Sequence, residues 1–184
     1  MLFNEEIIDR NILSNKAYSV EEKRAVRAVI FNRNNILLMK VNDAEYKLPG
    51  GTAQPYENNM KALIREIKEK TGFVSCIIKE NIGQVLERCV DRNNRDSICE
   101  TVSSYYVCEV FGAPAETNLS VSEKLDRMEA VWISIDEAIE KNEIARKQNN
   151  SSEFLNREIM SLNQIKNEYF KLKTKEYDEK TKNL

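Results

Sequence analysis

One stretch decides the fold of this 184-residue chain: LPGGTAQPYENNMKALIREIKEKTGF, from Leu48 to Phe73. It opens with a Pro-Gly-Gly turn, where glycine permits a positive φ and a close approach of the backbone to a ligand. A helix is predicted over Glu57–Thr71 because apolar residues recur there at three- and four-residue spacing. These residues are Met60, Leu63, Ile64 and Ile67. Gly72 is the expected C-terminal stop of that helix.

The same helix carries acidic residues at a fixed distance from the turn. Glu66 and Glu69 are three residues apart and are therefore neighbours on one face. Most helices with such a face are simply solvated amphipathic helices. Here, however, Arg65 directly precedes Glu66, and Gly72 and Phe73 close the pattern, which amphipathicity alone does not require. The arrangement indicates a site in which a bound metal ion holds a phosphorylated substrate.

The stretch resembles the Nudix box, in which a Gly and a later Glu precede Arg-Glu-apolar-x-Glu-Glu-x-Gly-apolar. The positions that match in register are Gly51, Glu57, Arg65, Glu66, Ile67, Glu69, Gly72 and Phe73. Lys70 stands where the family has a Glu. The resemblance implies an α/β fold, a Nudix-like α/β/α sandwich with a mixed β-sheet.

The resemblance also implies roles for the box residues. Glu66 and Glu69 would bind Mg²⁺ or Mn²⁺, and Glu66 would also orient or deprotonate the attacking water. Arg65, grouped here with the catalytic residues, would pair with Glu57 and hold the loop against the helix. Gly50 and Gly51 would bind substrate by letting phosphate oxygens approach the backbone. Gly72 would have a structural role and end the helix.

Lys70 replaces a carboxylate that helps to hold metal in the family. Its ammonium would either swing to solvent on its long stem or stand where a second metal would and bind phosphate. Glu123 and Glu129 are the candidates for a further metal ligand from outside the box, with Glu100 behind them. For each of these acids alone, an ordinary surface position is the commoner situation.

Composition narrows the chemistry. The formal net charge is −2, so no bulk field recruits nucleic acid or anionic lipid. The chain has no histidine, which excludes Ser-His-Asp and Cys-His schemes and favours carboxylates with hard cations. Its four cysteines are widely spaced and predicted to be reduced thiols. The first residues do not resemble a signal peptide, and we expect a cytoplasmic protein.

Residues 1–184 are predicted to form a single domain. We expect a lead-in with some local structure over residues 1–23. Strands are predicted after it, two of them around Val74–Lys79 and Gly83–Val90, and a loop is predicted over residues 112–126. With one strong helix between strands, this order favours a mixed sheet covered by helices. A second amphipathic helix is predicted over residues 151–173, with an apolar side suited to a homodimer contact. Residues 174–184 are predicted to be a frayed tail.

The leading functional prediction is a metal-dependent hydrolase that cleaves a diphosphate linkage in a nucleoside diphosphate joined to another moiety. The alternative is a catalytically weak module with the same fold that binds a nucleotide-like ligand, which the Lys70 replacement suggests. A third interpretation makes the box helix a scaffold and the C-terminal helix a dimer contact. Both functional predictions expect a small-molecule partner and neither nucleic acid nor a membrane.

Overall fold

A computed structural model of the chain describes residues 1–13, 16–42, 45–91, 93–148 and 153–169, without the side chains of residues 153 and 169. Its strands are β1 Phe3–Ile8, β2 Ser19–Asn32, β3 Asn35–Val41, β4 Glu45–Lys47, β5 Gly50–Thr52, β6 Ser75–Val90, β7 Ser97–Phe111 and β8 Glu129–Ser134. Its helices are α1 Asn59–Thr71, α2 Val121–Leu125, α3 Ile135–Gln148 and α4 Glu153–Gln164, and α4 continues into a π-helical turn, Ile165–Tyr169.

The strands form a mixed sheet in the order β1-β6-β7-β2-β3-β4, with β5 paired to β2 and β8 paired to β3. The β1–β6 and β2–β7 pairs are parallel, and the remaining pairs are antiparallel. The predicted mixed sheet is therefore confirmed. Its long central strand β2 is rich in β-branched and apolar residues, which suit a sheet covered on both faces.

Side chains of β2 alternate between the two faces of the sheet, as the pleat requires. On one face, Val26, Ala28 and Ile30 pack in a core with residues of α1. On the other face, Val29 belongs to a second core that includes Leu162 of α4. Helices thus cover both faces, which confirms the predicted α/β/α sandwich.

The N-terminal segment contributes more than the expected lead-in. Phe3–Ile8 form strand β1, which pairs in parallel with β6, and β2 begins at Ser19. The ring of Phe3 is buried edge-on against Tyr105, with centroids 5.2 Å apart. The prediction missed β1 because Phe3–Ile8 lacks a regular apolar–polar alternation: Glu5 and Glu6 are adjacent, and Ile8 is exposed.

Helix α1 begins two residues later than predicted and buries a different face. Leu63 and Ile67 are fully buried, but Met60 and Ile64 are 42% and 46% exposed. The polar residues Glu66 and Lys70 are buried instead. The predicted apolar stripe is thus wrong in two of its four members, because the face next to the glycine turn is a polar site.

Strand boundaries also differ from the prediction. The two strands expected around Val74–Lys79 and Gly83–Val90 are one continuous β6 with irregular register between Ile78 and Gly83. The loop expected over residues 112–126 contains the short helix α2. The continuity of β6 comes from its pairing with β7, which local composition does not report. Helix α2 has a local signal that the prediction did not use, the capping box of Ser120 and Glu123.

The C-terminal helix packs inside this chain. Leu155, Ile159, Leu162 and Ile165 are buried. The apolar side that suggested a homodimer contact therefore lies against this chain's own sheet. The rest of the predicted 151–173 helix and the 174–184 tail lie outside the described residues. Within the described ranges, no helix has the length and apolar character needed to span a membrane.

Candidate functional site

The box helix is fixed at both ends. Asn58 is its N-cap, and the side-chain oxygen of Asn58 accepts a 2.9 Å hydrogen bond from the Lys61 amide. Gly72 ends the helix with φ +78°, and its amide donates to the Lys68 carbonyl. A Cβ at Gly72 would lie 2.1 Å from the Ala115 carbonyl oxygen. Only glycine fits at this helix end without displacing the loop that leads to α2.

Arg65 joins the glycine loop to the helix, the role that the resemblance to the Nudix box implies. Its Nε and Nη2 atoms donate to the two carboxylate oxygens of Glu57 at 3.0 and 2.9 Å. Nη2 also donates to the Thr52 carbonyl at 3.2 Å. The Gln54 amide donates to Glu57 at 2.9 Å. The hydrogen bond from Arg65, followed by that from Gln54, lowers the pKa of Glu57 to about 2.

Glu66 is the central carboxylate of the site and is 4% exposed. Its Oε1 accepts a 2.7 Å hydrogen bond from Arg65 Nη1, which also donates to Glu69 Oε2 at 3.3 Å. Its Oε2 is buried and has no hydrogen-bond partner in the described part of the chain. A Cβ on Gly51 would lie 2.5–2.6 Å from the carboxylate atoms of Glu66. The glycine therefore makes room for this carboxylate.

The Lys70 ammonium does not swing to solvent. It lies 2.7 and 2.8 Å from the two carboxylate oxygens of Glu123 and 3.6 Å from Glu66 Oε2. Glu123 also accepts from the Ser120 amide in the capping box of α2. Burial favours a raised pKa for Glu123, but the hydrogen bonds from Lys70 and Ser120 outweigh it and lower this pKa.

Of the candidate acids outside the box, Glu123 reaches the box helix. Glu129 is opposite Lys40 in the β3–β8 register, pairs with that lysine at 3.2 Å and is half-exposed. Glu100 pairs with Arg88 at 2.7 Å on the sheet. The expectation that Glu129 completes the site finds no support in these contacts. Helix α2 brings Glu123 in because the loop before it is bonded to the end of α1.

The described residues contain no group of three or more His, Cys, Asp or Glu side chains poised around a metal. The two cationic groups, Arg65 and Lys70, lie between the carboxylates of Glu66, Glu69 and Glu123. Oε2 of Glu66 has the Lys70 ammonium 3.6 Å away but accepts no hydrogen bond from the described residues. It nevertheless suits a hard cation, since Mg²⁺ and Mn²⁺ prefer oxygen ligands. A groove lined in part by Arg65, Glu69 and Asn118 opens beside the helix.

The sequence analysis missed a second charged cluster behind the glycine turn. Glu158 of α4 is fully buried, and its Oε2 accepts a 3.0 Å hydrogen bond from the Leu48 amide. Arg157 bridges Glu158 and Glu87, at 2.8 Å to each. Arg27 and Lys47 lie near this cluster. Arginine within the buried run RAVRAVIF was the available signal, because such strands seldom carry a charge.

Comparison with known proteins agrees with the box. The NUDIX domain model matches residues 21–157. A search of curated proteins finds no match. A NUDIX hydrolase from Nitrosomonas europaea is 20% identical, with a TM-score of 0.52 over 76% of this chain and 87% of that one. An ADP-ribose pyrophosphatase from Streptococcus suis is 22% identical, with a TM-score of 0.46 over 62% and 75%.

The first of these two likenesses supports the fold that the sheet and helices already show. The match to the family model is stronger evidence, because it covers the glycine turn, the box helix, α2 and most of the sheet. The chain therefore belongs to the NUDIX domain family, the family of the Nudix-type pyrophosphohydrolases.

Proposed function

We propose that this chain is a metal-dependent hydrolase that cleaves the diphosphate linkage of a nucleoside diphosphate joined to another moiety. The observation that carries the proposal is Glu66, a buried carboxylate beside Gly51 whose Oε2 accepts no hydrogen bond from the described residues. Family membership supports the reaction class. The free cysteines among the described residues fit a reducing cytoplasmic location.

Glu66 and Glu69 would hold Mg²⁺ or Mn²⁺, and Glu123 is the third carboxylate within reach of the same cluster through Lys70. When bound, the ion neutralises diphosphate charge and lowers the pKa of a bound water. The chain's own carboxylates supply the remaining chemistry. Glu66 orients the water or accepts its proton, which suits a carboxylate that is fixed on one oxygen only.

The glycine turn would place the diphosphate. Gly50 has φ +151°, and a Cβ there would lie 2.0 Å from the Val26 carbonyl oxygen. With no side chain at Gly50 or Gly51, backbone amides are free to approach phosphate oxygens. Arg65 acts as a positioning residue, because its guanidinium spans Glu57 on the loop and Glu66 on the helix.

Lys70 favours the alternative, a catalytically weak module that binds a nucleotide-like ligand. Its ammonium engages both Glu123 oxygens and lies beside Glu66. A cation at this position competes with a metal for the same carboxylates. The same ammonium would also attract a phosphate group, so its effect on turnover is a matter for experiment.

The first experiment is a phosphate-release assay over nucleotides and nucleotide sugars with Mg²⁺ or Mn²⁺. We expect Glu66→Gln to lower kcat by roughly a hundredfold or more, since it removes both the charge and the proton acceptor. Glu137→Gln, on the exposed part of α3, is the matched control and should retain full activity. Activity indifferent to Glu66→Gln would rule out the proposed site.

A second experiment separates the two functions. Lys70→Glu restores the carboxylate of the family pattern. A large rise in turnover would show that the natural site is poor in metal, as the binding-module alternative requires. A fall would show that Lys70 has its own part in the reaction. Calorimetric titration of the wild type and of Lys70→Glu with the metal distinguishes the same two functions without a measurement of turnover.

A further inference from the structure

Two cysteines face each other across the β6–β7 pair. Cys89 of β6 is directly opposite Cys99 of β7 in the antiparallel register. Cys89 Sγ lies 3.8 Å from the Cys99 carbonyl oxygen, and Cys99 Sγ lies 3.7 Å from Thr101 Oγ1. Because opposite residues share one face of a sheet, both thiols project from the same side. All four cysteines of the chain lie in the described ranges, and none is in a disulfide.

The separation of these two residues suits a disulfide. Directly opposite residues in antiparallel strands have Cα atoms about 4.5–5.5 Å apart, and disulfides join Cα atoms roughly 4.4–6.8 Å apart. The Cβ atoms of such residues are about 4.5–5.5 Å apart, slightly more than the roughly 3.5–4.5 Å found in a disulfide. The strands must therefore close slightly. The two cysteines lie next to the Val90–Ile98 pair, with which β6 ends, so the closure affects the end of the hairpin.

Both thiols are accessible to a small oxidant. Cys89 and Cys99 are each partly exposed. Cys89 also lines a cavity of about 520 Å³, together with Asp9 after β1 and Asn156 of α4. Hydrogen peroxide is only slightly larger than water and fits easily into a cavity of this volume. An oxidant from solvent therefore reaches the pair without unfolding of the sheet.

The other two cysteines of the chain lack this arrangement. Cys76 is opposite Val110 in the register. Cys108, two residues before Val110, is therefore a diagonal neighbour of Cys76, roughly 7–8 Å away, which is more than a disulfide usually spans. Burial raises the pKa of Cys108 to about 12 and also raises the pKa of Cys76. Because the thiolate is the reactive form, both should react slowly with an oxidant.

We propose that Cys89 and Cys99 form a site of reversible oxidation, at which hydrogen peroxide converts the two thiols into a disulfide across β6 and β7. The thiolate of one cysteine attacks a peroxide oxygen, and the O–O bond breaks. The sulfur becomes a sulfenic acid, and the hydroxide that leaves takes up the proton lost by the thiol. The second thiol then attacks this sulfur, the S–S bond forms, and a second water leaves. The two thiols lose two electrons in all, and the peroxide gains them.

The disulfide should be easily reversed. A disulfide that departs from ideal geometry is more readily reduced, and disulfides in a reducing compartment are usually transient. A thiol reductant attacks the S–S bond and returns both cysteines to thiols, while its own thiols form a disulfide. Neither direction needs a metal or the hydrolysis of a substrate, so the oxidation is independent of the proposed function.

The test is a thiol count on the full chain, which is first reduced and then separated from the reductant. A modest excess of hydrogen peroxide is added, and the remaining thiols are alkylated in denaturant and counted by mass spectrometry. We expect the count to fall from the four cysteines of the sequence to two, with a loss of two hydrogens and no gain of oxygen. Peptide mapping should join Cys89 to Cys99 within one chain, and dithiothreitol should restore all four thiols.

Cys89→Ser and Cys99→Ser should each prevent the disulfide. Cys76→Ser is the matched control, since Cys76 is also partly exposed on β6, and it should form the disulfide as the wild type does. A thiol count that stays at four in the wild type would overturn the proposal, as would a bond that joins other cysteines or two chains. If a serine variant does not fold, the alanine variant at the same position takes its place.

The rate of oxidation distinguishes this pair from ordinary buried thiols. In the double variant Cys89→Ser/Cys99→Ser, only Cys76 and Cys108 remain. We expect this variant to lose thiols at least about tenfold more slowly than the wild type, because a thiol with a raised pKa has less thiolate. Equal rates in the two proteins would show that Cys89 and Cys99 have no particular reactivity, contrary to the proposal.

Discussion

Single residues set the geometry of the box through the space that they leave empty. Gly51 has no positive φ, so an alanine there would suffer only the approach of its Cβ to the Glu66 carboxylate, at 2.5–2.6 Å. The carboxylate is the far end of a flexible side chain and can move away. An alanine at position 51 should therefore displace the Glu66 carboxylate and have little effect on the stability of the fold.

We predict that Gly51→Ala lowers kcat by about a hundredfold, the usual effect of misplacing a reacting group by about 1 Å. Its free energy of unfolding should stay within about 1 kcal/mol of the wild-type value. Thr52→Ala, at the exposed next residue, is the control and should keep its activity. Steady-state kinetics and urea unfolding check both expectations. Full activity of Gly51→Ala would show that Glu66 need not occupy this position.

The lowered pKa of Glu57 predicts how the stability of the protein depends on pH. Its pKa falls from an ordinary 4.5 to about 2, first through Arg65 and then through the Gln54 amide. Because the folded-state pKa is the lower one, this stabilisation is complete above pH 4.5 and is lost as the pH falls toward 2. The difference in unfolding free energy between wild type and Glu57→Gln should therefore be constant near pH 7 and shrink over that window. A difference independent of pH between 7 and 2 would contradict the assignment.

At the level of elements, the end of α1 connects the box to Glu123. The Gly72 carbonyl accepts from the Ala115 amide, and the Glu69 carbonyl accepts from the Asn118 amide, both at 2.9 Å. These bonds seat the loop from which α2 starts. The position of Glu123 beside Lys70 thus depends on how α1 ends.

Gly72→Ala and Gly112→Ala form a matched pair that tests this connection. Both glycines have a φ near +80°, so each alanine should cost about 1–2 kcal/mol in backbone conformation. A Cβ at Gly112 meets open space, whereas one at Gly72 would lie 2.1 Å from the Ala115 carbonyl oxygen. We expect Gly72→Ala to lose roughly 1–3 kcal/mol more than Gly112→Ala. Equal losses in chemical denaturation would show that the loop yields freely.

The sequence predicted this element well where the signals were local. The cap at Gly72 follows from the local sequence at the end of the helix, and the resemblance to the Nudix box implied the pairing of Arg65 with Glu57. The burial of Glu66 and Lys70 does not, because it depends on Gly51 and on Glu123 arriving from other elements. Of the acids Glu123 and Glu129, only tertiary structure decides which reaches the box, since β3 draws Glu129 toward Lys40.

At the level of the whole molecule, the two faces of the sheet were predictable in outline but not in detail. Strand β1 was missed because its pairing with β6 joins segments about eighty residues apart. The apolar side of α4 was visible in the sequence, but its partner was not. That side packs in the core with Val29 and Tyr105 rather than against a second chain.

This packing yields the last prediction. Leu162 of α4 is fully buried, whereas Leu125 of α2 is 76% exposed. Leu162→Ala removes the same atoms as Leu125→Ala but leaves a cavity between α4 and the sheet. We expect a loss of about 2–5 kcal/mol for Leu162→Ala and a change within about 0.5 kcal/mol for Leu125→Ala.

Urea unfolding at two protein concentrations distinguishes packing within the chain from packing between chains. If α4 closes its own sheet, the midpoint of Leu162→Ala should fall without depending on concentration. A midpoint that rises with concentration would instead mean that α4 contacts a second copy. Because α4 also supplies Glu158 and Arg157 behind the glycine turn, that outcome would place the environment of Arg27 and Lys47 at a dimer interface.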